Sequence, residues 1–534
     1  MTDTDETVTS SQAHSLRVWA GRIVAAVVVV YGVSVANDLL LADTRLIADR
    51  ADMVSLDRVP AWSVEVQHAL FGQGSVGYRL TAMLVHLLNC GLLLLVARRW
   101  TSASLAGWGT LIFAIWPSGS QAVLHLGSQA ELLTTTWILS ALWLSGGGRF
   151  HVIRAVGLLL IVILGLHTSA QAFALPLFLL LVHHRLARRG QPTPTWLMHL
   201  SAYGTAAGWL LWKMFTRAAD TAIIDPLTNP LASLSTSQRV MVALDQGWSY
   251  AQSLLVPLRL SADYGFGVID VSATLTTGVR VGLLLALLGF VLLRFVRHAD
   301  LLSLGVLWWA VALLPASNVV SRIDLARSDA YLYLAMVGGS LSLAALLTTL
   351  STSSRTRWIV ATLLVMMGAR TIAWCRDWRD DEHLWAATVV AQPSSARAHE
   401  ALATALQRRG ASVAAQAHYQ RAIGLYPRFA TAHLNLGLSL YEEGRWPAAL
   451  DQFDIVCQLQ PLNATAHLNR GAALFRQGLW MPAADAYRQA AELRPAWPVP
   501  WLNLGDALRA AGDEDAAAAA ADHARSLGAV LSFD

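Results

Sequence analysis

Arg370–Ala398 reads RTIAWCRDWRDDEHLWAATVVAQPSSARA, and the two kinds of sequence on either side of it decide the fold. Upstream the chain is almost continuously apolar; downstream it repeats with a fixed period. Pro393, Pro427, Pro461 and Pro495 are 34 residues apart, as are Gly410, Gly444, Gly478 and Gly512, and as are Ala403, Gly437, Gly471 and Gly505. A small residue where paired helices touch, a glycine at the turn and a closing proline at that spacing are the signature of tetratricopeptide repeats. Repeats two and three, AHLNLGLSLYEEGRWPAALDQF and AHLNRGAALFRQGLWMPAADAY, are the cleanest, and the fourth drifts into alanines as a capping repeat does. The expected fold class is all-α: a polytopic membrane domain over 16–374, a junction at 375–392, and an α-solenoid of about four repeats over 393–534.

Composition agrees with the membrane half. Of 534 residues, 55% are hydrophobic and 14% charged, and the mean hydropathy is +0.46, values of a chain whose solvent is partly lipid. The net charge of +4 rests on 38 arginines against one lysine, Lys213, without a basic run or basic–aromatic patch that would read nucleic acid. Cys90, Cys375 and Cys457 lack the spacing of a disulfide framework or a zinc site. Residues 1–15, MTDTDETVTSSQAHS, are polar and acidic and read as a disordered tail; without a basic start or cleavage box, the apolar run that follows reads as a retained span.

Eleven apolar runs approach the length that crosses a bilayer: 19–36, 79–97, 102–117, 129–146, 152–167, 169–184, 195–214, 277–296, 300–317, 330–350 and 357–374. The stretch 240–257 carries Asp245 and reads as re-entrant or interfacial. With the N-terminus inside, the clusters at Arg98/Arg99, Arg149/Arg154, Arg185/Arg188/Arg189, Arg294/Arg297 and Arg355/Arg357 all fall on the cytoplasmic side. That topology leaves segments 37–78, 215–276 and 318–329, and the repeat array, outside the cytoplasm. It suits an inner membrane protein of a bacterium. The piece AWSVEVQHALFG, inside 37–78, is amphipathic and suited to a membrane surface.

The junction's order of elements (an arginine closing a span, RDW, LW, then the proline that opens the array) resembles the transmembrane and tetratricopeptide-repeat O-mannosyltransferases. These belong to the GT-C superfamily of glycosyltransferases that use lipid-phosphosugars. The resemblance extends along the membrane half. GYRLTAMLVHLLNCGLLLLVARR, from Gly77 to Arg99, is similar to the family's G-F-H-L-x-N-x-x-x-H block, with Arg79 for the first His, Ala82 for the Asn, and His86 in place. FAIWPSGSQAV, from Phe113, resembles F-A-x-H-P-x-x-x-E-x-V, with Trp116 for the His and Gln121 for the Glu. LLVPLRLSADYGFGV, LLPASNVV and DAYLYL match further blocks, while TSAQAFALP lacks a Lys–Glu pair common in the family.

The resemblance implies transfer of a sugar from a polyprenyl-phosphate donor to a protein or glycan hydroxyl outside the cytoplasm, the donor being a substrate and no cofactor or metal being needed. Such chemistry requires a carboxylate to accept the hydroxyl proton and a cation to stabilise the departing phosphate. In the superfamily the carboxylate follows the first span; Asp38 stands there, with Asp43 as the alternative, and the usual adjacent acids read Asn37–Asp38. Candidate donor-binding residues are Arg79, His86, Glu131, Lys213 and Arg217, with Arg280 a further cation. Each has a structural reading beside the functional one. Asp38 can be a solvated helix end, Lys213 and Arg217 snorkelling anchors, and His86 an interhelical hydrogen-bonding group. Glu131 can be a first-turn acid favoured by the helix dipole. The array would bind the protein acceptor. The alternative function is a catalytically silent, membrane-anchored scaffold whose repeats assemble envelope or secretion proteins.

Overall fold

In the computed structural model the chain divides into two units, Met1–Gln392 and Pro393–Asp534. Residues 3–40, 43, 58–72, 74–146, 152–191, 193, 203, 204, 207, 225–272, 274–320, 323, 325–350 and 353–528 are described. Among the described residues every regular element is helical.

The first unit is built from α1 (Asp3–Tyr31), α2 (Arg58–Phe71), α3 (Ser75–Ala97), α4 (Ala103–Ile115), α5 (Gln129–Ser145), α6 (Val152–Leu166) and α7 (Leu175–Arg188). It continues with α8 (Thr236–Leu255), α9 (Leu275–His298), α10 (Leu301–Leu313), α11 (Leu332–Leu350), α12 (Ser354–Asp377) and α13 (Asp381–Ala391). The helix starts carry the side chains that satisfy orphan N–H groups. Ser102 accepts from Leu105 N, Asp300 from Ser303 N, Thr274 from Thr277 N and Asp380 from His383 N.

Six helical stretches are long and apolar enough to cross a membrane: Ser15–Ser34, Ser75–Ala97, Ala170–Arg188, Leu275–His298, Asp329–Leu350 and Ser354–Asp377. Ala103–Ile115, Val152–Leu166 and Leu301–Ala316 are apolar but shorter. The expected count of eleven full spans is therefore not reproduced among the described residues. Apolar runs in a packed bundle need not each be a full crossing, because several helices here break at a proline or a 3-10 turn such as Pro117–Gly119. The stretch 195–214 lies almost wholly outside the described residues. Segment 240–257 falls in α8, which is not among the helices apolar enough to cross. Helix α1 begins at Asp3.

The hub of this unit is α11, which packs on α4, α5, α8 and α10. Its contact with α10 is close because Gly305 faces Gly338 and Ser342. A Cβ on Gly305 would stand 2.4 Å from the Gly338 carbonyl oxygen, so neither helix tolerates a larger residue there. By contrast α9 exposes Leu275, Val279, Leu283 and Phe290, and α12 exposes Ile359, Leu363 and Met366, apolar surface suited to a lipid surrounding. Helix α2 exposes Trp62, Val66 and Leu70 at a spacing of four, while Ser63 and Gln67 on its other face each bond the Gln129 side-chain oxygen at 3.0 Å. That is the amphipathic helix expected of AWSVEVQHALFG.

The second unit stacks α14 (Ala396–Arg408) on α15 (Ser412–Leu425), α16 (Ala430–Glu442) on α17 (Trp446–Leu459), α18 (Ala464–Arg476) on α19 (Trp480–Leu493), and α20 (Pro498–Ala510) on α21 (Glu514–Ser526). The period acts through two kinds of glycine. Gly410, Gly444, Gly478 and Gly512 turn each pair with φ of +84°, +77°, +77° and +90°, a conformation costly to any residue with a Cβ. Gly437 and Gly471 lie under aromatic rings, where a Cβ would sit 2.5 Å from Phe453 and 2.6 Å from Tyr487. Each repeat is tied to its proline by one ring nitrogen: His399, His433 and His467 Nε2 meet the carbonyls of Pro393, Pro427 and Pro461 at 3.2, 3.0 and 2.9 Å. In the fourth repeat Trp501 Nε1 replaces the histidine, at 3.2 Å from the Pro495 carbonyl.

Candidate functional site

Asn37 and Asp38, shortly after α1, are clasped by the end of α12 and the turn that follows it. Asn37 donates to the Cys375 carbonyl at 2.8 Å, and the Asp38 main-chain N–H donates to the Arg379 carbonyl at 2.9 Å. From the other side Arg79, in the first turns of α3, donates to the Asp38 carbonyl at 2.7 Å and to the Leu124 carbonyl. The Asp38 main chain is thus held at both its polar groups, and its carboxylate stands exposed.

Asp43 is its opposite: fully buried, with Oδ2 3.8 Å from Arg79 Nη2 and Oδ1 3.6 Å from His125 Nε2. It also accepts the Leu40 N–H at 3.3 Å and the Leu126 N–H at 3.1 Å. A buried carboxylate needs this set of partners, because an unpaired charge there costs several kcal/mol. Burial lowers His125 from the ordinary imidazole value, opposed by the Asp43 charge. His125 also lies against Trp378, ring centres 5.6 Å apart, and its Nδ1 is 3.2 Å from the Ser128 hydroxyl.

Of the residues named from sequence, the structure brings Asp38, Asp43 and Arg79 together. Arg79 is only 5% exposed; its guanidinium braces the loop rather than facing solvent, and Asp43 is its counter-charge. His86 lies elsewhere, in the packed interior. Its Nδ1 is 2.7 Å from the Tyr333 hydroxyl and its Nε2 3.2 Å from the Ala114 carbonyl. Asn89 extends that network to Tyr333 at 3.2 Å and to Thr136 at 2.8 Å. With both ring nitrogens engaged, His86 locks α3 to α4 and α11. Glu131 is buried in the first turn of α5. Arg280 pairs with Asp245 at 3.1 Å. Lys213 and Arg217 lie outside the described residues.

Two contributors carried no sequence signal. His125 reaches Asp43 across 82 positions, a separation no periodicity encodes. Arg379 holds the Asp38 N–H through its main-chain carbonyl while its guanidinium pairs with Asp380 at 3.4 Å, yet its sequence context suggested only a junction. A second polar cluster lies in the turns before α11. The Tyr264 hydroxyl donates to Asp329 Oδ2 at 2.7 Å, and Arg327 Nη2 donates to the Ser253 hydroxyl at 2.6 Å while lying 3.7 Å from Asp329. The Arg327 guanidinium also covers the Tyr264 ring at 4.1 Å. This cluster ties α8, the loop after it and the start of α11 into one body. Among the described residues no group of three or more His, Cys, Asp or Glu side chains stands where it could hold a metal ion.

Comparison with known proteins adds the following. A tetratricopeptide-repeat family profile matches residues 437–478. A protein O-mannosyl-transferase of Caenorhabditis elegans is 24% identical over 326 residues, which are 60% of this chain and 46% of that one. The O-mannosyl-transferase TMTC1 of Homo sapiens is 28% identical over 189 residues, 33% of this chain and 21% of that one. Tmtc2 of Drosophila melanogaster is 32% identical over 136 residues, 24% of this chain and 14% of that one. The chain therefore spans less than half the length of the curated relatives it matches. Among solved structures, MamA covers 28% of this chain and 86% of its own at 19% identity and a TM-score of 0.27. YrrB covers 27% and 75% at 16% identity and a TM-score of 0.26.

Fold and composition thus define a membrane-embedded helical protein carrying tetratricopeptide repeats. Its sequence relatives are protein O-mannosyl-transferases of the transmembrane and tetratricopeptide-repeat type, in agreement with the resemblance carried by the junction.

Proposed function

We propose that the chain is a membrane glycosyltransferase that moves a sugar from a polyprenyl-phosphate donor to a protein or glycan hydroxyl on the non-cytoplasmic side. The observation that carries the reading is Asp38: an exposed carboxylate on a main chain pinned by Arg379 on one side and Arg79 on the other. A solvated helix end needs no such clasp. A general base does, because proton abstraction depends on placement within hydrogen-bond reach of the acceptor hydroxyl. Asp43 and Arg79 act as positioning residues. The donor phosphate requires a cation at the same surface; Lys213 and Arg217 are the sequence-based candidates, and Arg379 is an exposed arginine whose carbonyl holds Asp38 and whose guanidinium pairs with Asp380. Leaving-group departure and deprotonation then balance: the hydroxyl oxygen bonds to the anomeric carbon, the sugar–phosphate bond breaks, and the proton passes to Asp38.

In this reading the array holds the acceptor. Asn435, Asn469 and Asn503 are 34 residues apart on α16, α18 and α20, the helices that succeed one another along one side of the array. An asparagine amide offers a donor and an acceptor, the pair a peptide main chain presents, and Asn435 is held by Glu400 at 2.9 Å.

The test is transfer by the purified chain in nanodiscs from a panel of radiolabelled polyprenyl-phosphate sugars. Asp38→Asn keeps the size and removes the basicity, so transfer should fall by roughly 100- to 10,000-fold with donor binding intact. Undiminished transfer by this variant would remove Asp38 from the mechanism. Trp116 and Gln121, standing where the resembled family has a His and a Glu, favour the scaffold reading. Wild-type protein that transfers from no donor while its array still captures an envelope protein would establish it.

A further inference from the structure

Between α4, α11 and α12 lies a cavity of about 510 Å³ that the transfer reaction does not use. Trp108 and Ile112, Ala344 and Leu347, and Val360 and Leu364 form its apolar walls, and Ser354 and Arg357 stand at the end where α12 begins. The surface around it is suited to lipid: Trp358 is 73% exposed, and Leu346, Leu350 and Ile359 are exposed with it.

The charge at the mouth has the wrong sign for the helix. Acids are favoured in a first turn and cations disfavoured, because the exposed N–H groups already carry positive partial charge. Here Arg357, exposed in the first turn, lines the cavity and has no acidic partner among the described residues, while Arg355, two positions earlier, lies on another face of the helix. Ser353 already caps the helix end, its side chain accepting the Thr356 N–H, so an anion at that point would pair with the Arg357 guanidinium. An apolar slot opening beside an arginine at the membrane boundary is complementary to an amphiphile with an anionic head. Basic pockets between spans on the cytoplasmic side recognise anionic lipid head groups on this principle. The positive-inside expectation from the sequence puts this end of α12 on that side.

We propose that this cavity is a binding site for an anionic glycerophospholipid of the cytoplasmic leaflet, with an acyl chain between α4, α11 and α12 and the phosphate at Arg357. The lipid wedges the loosely packed α12 against the hub helix α11. Since α12 supplies the Cys375 carbonyl that clasps Asn37, and the turn just after it the Arg379 carbonyl that clasps Asp38, the site lies on the element that leads into the brace of the candidate base. The proposal does not depend on the transfer reaction.

The test reconstitutes the full chain with equal parts of dioleoyl phosphatidylglycerol and dioleoyl phosphatidylcholine. The lipids retained after mild detergent exchange are then counted by native mass spectrometry, with thermal unfolding followed in parallel. Wild type should retain phosphatidylglycerol in preference. Arg357→Gln should lower retention roughly five-fold, the effect of one basic residue at an anionic surface. Ala361→Phe, on the exposed rim of the cavity, should displace the lipid with Arg357 intact. Arg297→Gln, an exposed cation at the end of α9, should leave retention unchanged. Equal retention of the two lipids by wild type would overturn the proposal, as would phosphatidylglycerol retention insensitive to Arg357→Gln and Ala361→Phe. A loss in Arg297→Gln as large as in Arg357→Gln would also overturn it, since that marks a diffuse surface effect.

Discussion

Removing Arg79 while leaving Asp43 in place tests whether the brace around Asp38 is an electrostatic unit. Arg79→Gln preserves a hydrogen-bonding side chain but deletes the cation 3.8 Å from a fully buried carboxylate. At that distance the direct attraction is about 4 kcal/mol for an effective dielectric constant of about 20. Breaking a buried pair from one side typically costs about 3–5 kcal/mol, because the remaining charge stays unpaired. Asp43→Asn leaves Arg79 its two main-chain carbonyls and should cost less. In Arg79→Gln/Asp43→Asn no charge is stranded, so the double variant should be more stable than Arg79→Gln alone.

The assay is hydrogen–deuterium exchange on the protein in nanodiscs, read in peptides covering Leu40 and Leu126, whose N–H groups both donate to Asp43. Protection there should drop in Arg79→Gln and be partly restored in the double variant, with a coupling of about 2 kcal/mol or more. Transfer should follow the same order, since Asp38 is intact in all three. If the two substitutions add without coupling, Arg79 and Asp43 do not act as a pair and the brace argument fails.

The array yields three further expectations, each measured on residues 393–534 or on the intact chain. Gly471→Leu forces a side chain into the Tyr487 ring, 2.6 Å from where its Cβ would stand, and should destabilise the array by about 2–3 kcal/mol in urea unfolding; Gly471→Ala should recover in a Tyr487→Ala background. His399 and His418 meet through their Nδ1 atoms at 2.9 Å, and burial lowers both from the ordinary imidazole value. A histidine with a lowered folded-state pKa contributes stability above its unfolded value, about 6.5, and loses it as pH falls. The thermal midpoint should therefore drop below that pH, and less so in His418→Gln, which copies the His433–Gln452 contact of the next repeat; parallel profiles would refute the assignment. For topology, Cys457 is a poor reporter, being half-buried with its thiol pushed up to about 11. Leu462→Cys, at a site 83% exposed, should instead react with an impermeant maleimide in intact cells, and labelling only after permeabilisation would place the array in the cytoplasm.

What the sequence made legible follows from which interactions are local. The array was readable because its contacts recur at a fixed interval: the glycine under each ring and the glycine at each turn are forced by helix-pair geometry and repeat with it. The apolar runs were readable as helices, though not as complete crossings, since hydropathy marks what avoids water without marking where a helix breaks. At the candidate site, Asp38, Asp43 and Arg79 were marked by position after the first span and at the start of the second. His125 was not, because a histidine in LHLGS is chemically ordinary until the fold brings it to Asp43.

Asn37 shows why a departure from a family pattern has to be judged in three dimensions. The resembled enzymes carry two adjacent acids where this chain has Asn37–Asp38, which read alone suggests a lost catalytic group. In the fold, Asn37 is 4% exposed and its amide nitrogen donates to the Cys375 carbonyl at 2.8 Å. An ionised aspartate there would set carboxylate oxygen against carbonyl oxygen, two acceptors with no proton between them. The asparagine therefore supplies the donor that fastens the loop to α12, while the neighbouring residue keeps its carboxylate in solvent. Two acids have been resolved into one clasp and one exposed acid, and an exposed acid on a fastened main chain is the element that proton transfer from an acceptor hydroxyl requires.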